Sequence, residues 1–339
     1  MRKVLWVLGG VVAIAGGVLF RFQQTYPVPI IGEAPVPVVA EPKVYTLLFV
    51  GDVMLGRSVQ NRINEAQDPL FPFIRIADIT RAADITFANL EGPVSERGVN
   101  QGSQYSFRFE PVGTMSALSF AGFDVVSIAN NHVWDWGKDA LIDTVLHLDN
   151  AGIGHVGAGR NAEEAEKPFI AFLDTTKVAM LGYTNLYPES LEAGIDHAGV
   201  SSFAVSSTIE RVRQLKEFAD VDVVMVSLHW GTEYATSSDA YQQGVARALV
   251  DGGVDLVIGH HPHVVQEVER YKDGWIVYSL GNFVFDQFFS KETMSGLMVR
   301  ALVRGGKVES IEQIQVQLTP DFQPYIVGQP GDPALDVVE

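Results

Sequence analysis

The chain has 339 residues, and its 24 basic and 41 acidic side chains give a formal net charge of −17. This balance argues against nucleic acid as a partner, because phosphate backbones are bound by clustered Lys and Arg side chains. The chain contains no cysteine, which excludes disulfides, thiolate metal sites and thiol catalysis.

The N-terminal segment predicts a membrane anchor over residues 1–24. Arg2 and Lys3 precede an uncharged apolar run from Val4 to Phe20. Its length of roughly 17 residues lies between that of a membrane span and that of a signal-peptide core. The sequence Ala13-Ile14-Ala15 resembles a cleavage site but lies inside the run, so an uncleaved anchor is favoured over cleavage. The basic start predicts a cytoplasmic N-terminus and an extracytoplasmic remainder.

Composition sets the other domain boundaries. Residues 25–43 carry five prolines and predict an extended linker. One α/β domain is predicted over residues 44–318. Residues 319–339, which contain several prolines and glycines, are interpreted as a loosely attached tail.

Helical stretches and apolar runs alternate within the predicted domain, and each apolar run closes on a polar cluster. Near-continuous apolar strands separated by helices are typical of a mostly parallel sheet covered on both faces. The segment around Gly305 and Gly306 alternates apolar and polar residues instead, which predicts a C-terminal β-hairpin at the sheet edge. Ligand sites of parallel sheets lie beyond the carboxyl ends of the strands. The polar side chains at those ends are Asp52, Asn89, Glu91, Asn131, His132, His229, His260, His261 and His263.

These side chains have the composition of a metal site. Imidazole, carboxylate and amide donors without thiolates suit Mn, Fe or Zn, and the set is large enough for one or two divalent ions. Two ions would lower the pKa of a bridging water and bind an oxyanion. His132, beside the ligand candidate Asn131, is the best-placed general acid for protonating a leaving group. The predicted metal ligands are Asp52, Asn89, Glu91, Asn131, His229, His261 and His263.

Each signal has a simpler explanation when it is taken alone. A single strand-end histidine is more often a hydrogen-bonded structural residue than a ligand. The pair Asn130-Asn131 is compatible with a turn or a helix cap, and Asp52 is compatible with an N-cap. Four separate strand ends that carry metal-type residues favour the metal site.

Two arginines are candidates for binding an anionic substrate. Arg57 occurs in "GDVMLGR" and Arg108 in "YSFRFEP", and a guanidinium can pair with a carboxylate or a phosphate. Either residue is equally compatible with a structural ion pair.

The chain contains, in this order, "GDVMLGR", "FANLEGPVS", "FRFEP", "VVSIANNHVWDWG", "SLHWGTEY", "GHHPHVVQEVE" and "YSLGNFVFD". The ordered set resembles the CapA family of bacterial capsule-synthesis proteins, which is associated with poly-γ-glutamate, over about residues 45 to 290. The resemblance implies a fold similar to the calcineurin-like metallophosphoesterases, a four-layer sandwich of two sheets flanked by helices.

The resemblance also implies roles for individual residues. The residues that match the family's metal ligands are Asp52, Asn131, His229, His261 and His263. His132 matches the acid of an Asn-His pair, so Asn131 and His132 are assigned to catalysis. His260 matches an optional member of the histidine motif and is assigned to the substrate side.

Two positions depart from the phosphoesterase pattern. Met54 stands where the first motif, Asp-x-His, carries its histidine, and Ala88-Asn89 stands in place of Gly-Asp. Glu91, two residues further on, is a candidate replacement for the missing aspartate. With these two ligands lost, the site could hold one ion rather than two.

The expected function is that of a membrane-anchored, extracytoplasmic hydrolase or transferase that depends on a metal. It would act in the synthesis, release or anchoring of an anionic surface polymer. The alternative is a non-enzymatic component that binds or exports the polymer within a membrane synthase complex.

Overall fold

The computed structural model describes residues 42–330 and 332–333. The predicted membrane anchor, and the linker as far as residue 41, lie outside the described residues. Within the described part, no helix combines the length and the apolar character needed to cross a membrane.

Strands and helices alternate through most of the described chain. The strands are β1 (Val44–Val53), β2 (Ile85–Leu90), β3 (Val125–Ser127), β4 (Gly154–Val156), β5 (Ala158–Gly159), β6 (Phe169–Leu173), β7 (Thr176–Thr184), β8 (Gly199–Val200), β9 (Val223–His229), β10 (Leu256–His260), β11 (Val268–Tyr271), β12 (Gly274–Val277), β13 (Asn282–Val284), β14 (Ser295–Arg304), β15 (Lys307–Leu318) and β16 (Pro324–Tyr325). The α-helices are α1 (Arg57–Ala66), α2 (Ala77–Thr80), α3 (Pro111–Ala121), α4 (Gly137–Ala151), α5 (Ala162–Ala165), α6 (Val205–Phe218) and α7 (Ala240–Asp251).

Two large mixed sheets carry the fold. The first has the order β16-β15-β14-β1-β2-β3-β4, with β13 also paired to β1, and the second has the order β11-β12-β10-β9-β7-β6. The run β1-β2-β3-β4 and the run β12-β10-β9-β7 are parallel. The pairs towards the margins, such as β1–β14 and β6–β7, are antiparallel. The predicted parallel arrangement therefore holds for the centre of each sheet, while its margins are antiparallel.

The two sheets pack face to face, with helices on their outer faces. Phe87 of the first sheet and Met225 of the second lie in the core between the sheets. Leu118 of α3 belongs to the core on the outer face of the first sheet, and Leu215 of α6 to that of the second. The expected order of helix, sheet, sheet and helix is thus present.

The C-terminal hairpin forms as predicted, but it lies inside the sheet rather than at its edge. Gly305 and Gly306 join β14 to β15 with φ values of 55° and 74°, the geometry of a tight hairpin turn with two left-handed residues. On one side β14 pairs with β1, and on the other β15 pairs with β16.

The segment predicted as a tail from residue 319 continues the domain instead. Phe322 is buried, and the side-chain amide of Gln323 donates to the carbonyl oxygen of Phe71 at 2.6 Å. Together with the pairing of β16, these contacts extend the domain beyond residue 318. Residues 334–339 lie outside the described residues.

The topology brings strand ends of both sheets together. Asp52 of β1 lies opposite Asn89 of β2, and His229 of β9 lies opposite His260 of β10. Because β1 also approaches β10, the polar side chains at these ends meet at one side of the sandwich.

Candidate metal centre

Two buried carboxylates, Asp52 and Glu91, form the base of the site, and both are 0% exposed. Asn89 lies between them: its amide nitrogen is 2.8 Å from Oδ1 of Asp52 and 3.2 Å from Oε2 of Glu91. Because carboxylate oxygens accept hydrogen bonds, the group that faces them must be the NH₂. The side-chain oxygen of Asn89 accepts from Asn130 at 3.1 Å. Asn89 therefore donates to the two acids, which contradicts its predicted role as a metal ligand.

The histidine turn closes over these carboxylates. His260 Nδ1 lies 3.1 Å from Oδ1 of Asp52, and the backbone N–H of His261 donates to Oδ2 of the same residue at 3.2 Å. The Nδ1 atom of His263 lies 3.4 Å from Oδ2 of Asp52, and its Nε2 atom lies 3.6 Å from Oε1 of Glu91. The His263 ring thus stands between the two acids, and Asn282 Oδ1 orients it from 3.0 Å.

His229 and Asn131 extend the group of donors. His229 Nε2 lies 2.8 Å from Oδ1 of Asn131, and its Nδ1 lies 3.2 Å from the amide nitrogen of Asn89. The rings of His229 and His261 have centroids 4.9 Å apart. The structure therefore brings the predicted ligands from the ends of five strands, β1, β2, β3, β9 and β10, into one cluster.

Unpartnered buried atoms show that the cluster fits a cation. Glu91 Oε1 and His261 Nδ1 are enclosed and have no hydrogen-bond partner among the described residues. A buried polar atom without a partner costs roughly 1–3 kcal/mol, and more when it is charged. Asp52, Glu91 and His263 each offer a donor atom, and these atoms lie within 4.8 Å of one another. Oxygen and nitrogen donors in this arrangement suit a divalent first-row metal.

The electrostatics of the cluster point the same way. Burial lowers the pKa of His229 well below its usual value and that of His261 to about 3, which leaves both imidazoles neutral, the form that binds metal. Burial raises the pKa of Glu91 well above its usual value. Burial also opposes the ionised form of Asp52, but hydrogen bonds from His260 and His263 outweigh it and hold the pKa of Asp52 well below its usual range. Burial also opposes the charged form of His263, but Glu91 and Asp52 outweigh it and raise the pKa of His263 to about 9, so the cluster favours positive charge next to its acids.

His132 lies at the edge of the cluster in a fixed orientation. Its Nδ1 atom is 2.8 Å from Oδ2 of Asp135, which also accepts from the backbone N–H of Phe107 at 2.7 Å. The Phe107 ring stacks on the imidazole with centroids 3.8 Å apart. The other ring nitrogen, Nε2, lies 3.9 Å from Oε1 of Glu91. This position suits a proton donor beside the metal centre.

A cavity of about 260 Å³ opens beside His132 and His263. Its aromatic lining consists of Tyr105, Phe107, Tyr234, Phe288 and Phe289. Arg57 also lines it: the guanidinium forms two contacts with the buried carboxylate of Asp286 and lies over the Phe107 ring, 4.8 Å from its centroid. The cavity is slightly smaller than pockets for drug-sized ligands, which fits one small group.

The other two predicted substrate contacts lie elsewhere. The Arg108 side chain donates from Nε to the carbonyl oxygen of Ser95 at 2.6 Å, and its guanidinium lies 4.2 Å from the ring centroid of Trp136. It does not line the cavity and has the structural role that the sequence left open. His260 is fully buried beside Asp52, so it orients a carboxylate instead of contacting substrate.

Three residues of the site were not predicted from sequence. Asp135 orients His132, Asn282 orients His263, and Glu233 lies near His261 and His263. Asp135 carried a local signal, because it follows His132 by three residues in one turn. Asn282 closes an apolar run, and Glu233 lies in a loop, where hydrophobic periodicity gives no information.

Comparisons with known sequences place the chain in a family. Residues 46–287 match the family described as "Bacterial capsule synthesis protein PGA_cap". The capsule biosynthesis protein CapA of Bacillus anthracis is 32% identical over 258 residues, which cover 75% of this chain and 62% of that protein. The PGA biosynthesis protein CapA of Bacillus subtilis (strain 168) is 33% identical over 263 residues, with coverage of 76% and 68%. The chain thus spans less than two thirds of the B. anthracis protein.

Two solved structures from Thermus thermophilus share the fold. A hypothetical protein gives a TM-score of 0.52 at 16% identity, covering 80% of this chain and 99% of that one. A 5′-nucleotidase precursor gives a TM-score of 0.50 at 14% identity, covering 84% and 56%. Likeness at such identities shows the fold alone. The sequence match, in contrast, spans most of the domain that carries the metal-type cluster. This chain therefore belongs to the family of bacterial capsule synthesis proteins.

Proposed function

We propose that this chain is an extracytoplasmic, metal-dependent hydrolase or transferase that acts on an anionic surface polymer, such as poly-γ-glutamate, or on its precursor. The observation that carries the proposal is the convergence of Asp52, Glu91, His261 and His263 in one buried cluster with His132 at its edge. The names of the two Bacillus relatives, which refer to capsule and PGA biosynthesis, support the choice of polymer.

The residues that would hold the divalent ion, Mn, Fe or Zn, are Asp52, Glu91, Asn131, His229, His261 and His263. When bound, such an ion polarises a substrate oxygen and makes water a better nucleophile at neutral pH. Asn89 holds the two carboxylates in position through its NH₂ group.

His132 and Arg57 would act on the substrate from the cavity. His132 would give a proton to the leaving group. It lies at the edge of the cluster, and Asp135 fixes its ring through a 2.8 Å contact. Arg57 would donate hydrogen bonds to one anionic group, since its guanidinium is already held by Asp286. One arginine and a small cavity fit a single unit, such as a polymer end, better than a polyanionic stretch.

The N-terminal segment would anchor the domain to the cell membrane as a single span. The apolar run from Val4 to Phe20 after a basic start supports this part of the proposal. An anchored domain outside the cell would be placed beside a membrane synthase complex that produces the polymer.

The test uses the full-length chain purified in detergent. We expect the protein to carry a transition metal by mass spectrometry and to hydrolyse a generic phosphodiester such as bis(p-nitrophenyl) phosphate. His132→Ala should lose this activity and fail to support polymer production in cells. His147→Ala, at a partly exposed histidine of α4 outside the site, is the matched control.

The same experiment tests the alternative function. Protein that is loaded with metal but inert, together with a His132→Ala variant that still supports polymer production, would favour a non-enzymatic binding or export component.

A further inference from the structure

We infer that Glu233 is a metal ligand, and that with His261 and His263 it forms a cation position on the cavity side of the centre. The inference rests on the proposed metal-dependent function and adds a ligand to it. One carboxylate oxygen of Glu233 and one ring nitrogen of each histidine lie within 4.8 Å of one another. His263 also belongs to the buried group with Asp52 and Glu91, so Glu233 adjoins that group.

The backbone holds Glu233 above the histidine turn. Strands β9 and β10 are parallel neighbours and end side by side at His229 and His260. The loops that follow remain joined, because the N–H of Trp230 donates to the carbonyl of His260 at 3.1 Å and that of Tyr234 donates to the carbonyl of Pro262 at 2.8 Å. The hydrogen bonds between the two loops therefore hold the Glu233 carboxylate next to the histidines.

Backbone strain is concentrated in the same two loops. His261, His263 and Tyr234 have φ values of 97°, 58° and 64°, in the left-handed region that is unfavourable for residues with a Cβ. Strain of this kind persists where the surrounding structure enforces it, often at binding sites. Here it affects His261 and His263, which are two of the three donor residues, and Tyr234, which is next to the third.

His261 supplies an independent indication of a ligand. His261 is only 6% exposed, and its Nδ1 atom has no hydrogen-bond partner among the described residues. Buried imidazole nitrogens normally have a partner. A cation bound at Nδ1 would satisfy this atom.

Glu233 differs from the other acids of the centre in its accessibility. Asp52 and Glu91 are fully enclosed, whereas Glu233 is exposed and lines the cavity beside His132 and Arg57. A cation at this position would face the substrate side of the centre. The exposure of Glu233 also means that its substitution should leave the fold intact.

The experiment compares Glu233→Gln with Glu96→Gln in the full-length protein. Glu96 is an exposed glutamate outside the cluster and serves as the matched control. Equilibrium dialysis with Mn²⁺ gives the number of bound ions and their affinity, and the visible absorption of Co²⁺ reports on the number and geometry of the ligands. Circular dichroism checks that both variants are folded.

We expect Glu233→Gln to lose one bound Mn²⁺, or to bind it at least about tenfold more weakly, and to change the Co²⁺ spectrum, because a lost ligand should cost at least as much as a lost supporting contact. Glu96→Gln should match the parent. If Glu233→Gln and Glu96→Gln bind Mn²⁺ and Co²⁺ alike, the role of Glu233 is overturned and the proposed function is left intact. Weaker binding with an unchanged Co²⁺ spectrum would also overturn it, since it would indicate long-range electrostatics. A parent that binds neither ion would overturn both proposals.

Discussion

The Nε2 atom of His229 lies 2.8 Å from the Oδ1 atom of Asn131, although 98 positions separate the two residues along the chain. His229 ends strand β9 of the second sheet, and Asn131 follows strand β3 of the first. Their contact shows that the strand ends of the two sheets form one site.

Asp135→Asn should lower kcat for phosphodiester hydrolysis about 10–100-fold, the usual effect of losing a supporting contact at such a site. The change keeps the size of the side chain but removes the carboxylate that orients His132 Nδ1 at 2.8 Å. The alkaline limb of the pH–rate profile should move to lower pH, because the general acid His132 must be protonated and the imidazolium loses its stabilising charge. Asp139→Asn, at an exposed aspartate in the first turn of α4, should match the parent in both respects. Equal profiles for the two variants would show that Asp135 does not orient a catalytic imidazole.

Arg57→Ala should raise KM for an anionic substrate about 10–150-fold, because one charge-assisted hydrogen bond is worth roughly 1.5–3 kcal/mol. Arg108→Ala should leave KM unchanged and instead lower the free energy of unfolding by about 1 kcal/mol, through the lost bond to Ser95 and the lost contact with Trp136. Steady-state kinetics of both variants separates the two roles, whereas unfolding does not, because Arg57→Ala also leaves the buried Asp286 carboxylate without its partner and should lose stability as well. The opposite result, with KM raised only in Arg108→Ala, would contradict the cavity assignment.

Gly259→Ala should disrupt the metal centre from within strand β10. A Cβ at this position would overlap the carbonyl oxygen of Tyr278 and lie 2.7 Å from the indole nitrogen of Trp230, so the strand that carries the histidine turn must shift. We expect a lower melting temperature and weaker binding of Mn²⁺. Gly244→Ala, in the middle of α7 and with no atom within 4 Å of the new Cβ, should stabilise the protein by roughly 0.5–1 kcal/mol. Unchanged metal affinity in Gly259→Ala would show that the turn is not held by this strand.

Glu91→Gln should have opposite effects on stability in the metal-loaded and the metal-free protein. Without metal, the variant should be at least as stable as the parent, because burial penalises the Glu91 carboxylate and raises its pKa. With free metal at 100 times its Kd, the parent should gain about 2.7 kcal/mol, and the variant should gain less because it lacks one ligand. Melting curves with added Mn²⁺ and with a chelator measure both differences. A chelator that lowers both melting temperatures equally would exclude Glu91 as a ligand.

Much of the site could be predicted from the sequence, because its residues follow apolar strands. Asp52, Glu91, His229, His261 and His263 all stand at such ends, and parallel strands bring their ends together. The direction of each side chain was not predictable by this rule. His260 ends strand β10 beside Asp52, inside the protein. His261 and His263 follow in left-handed conformations and are also buried.

The connections between sheets were also not evident from the pattern. The run "GWIVYSLGN" has the composition of one strand, but β12 ends at Val277 in the second sheet and β13 begins at Asn282 in the first. A single apolar run gives no sign of where the chain crosses from one sheet to the other. Asp135 and Glu233 were missed for a related reason, because loop residues follow no hydrophobic period.

Anomalous diffraction from crystals of the metal-free protein soaked in Mn²⁺ tests the central claim most directly. The proposed centre predicts an anomalous peak among Asp52, Glu91 and His263, with any second peak beside Glu233 and His261. Strong peaks found only on the surface, for example at the group of Asp149, His155 and Glu164, would contradict it.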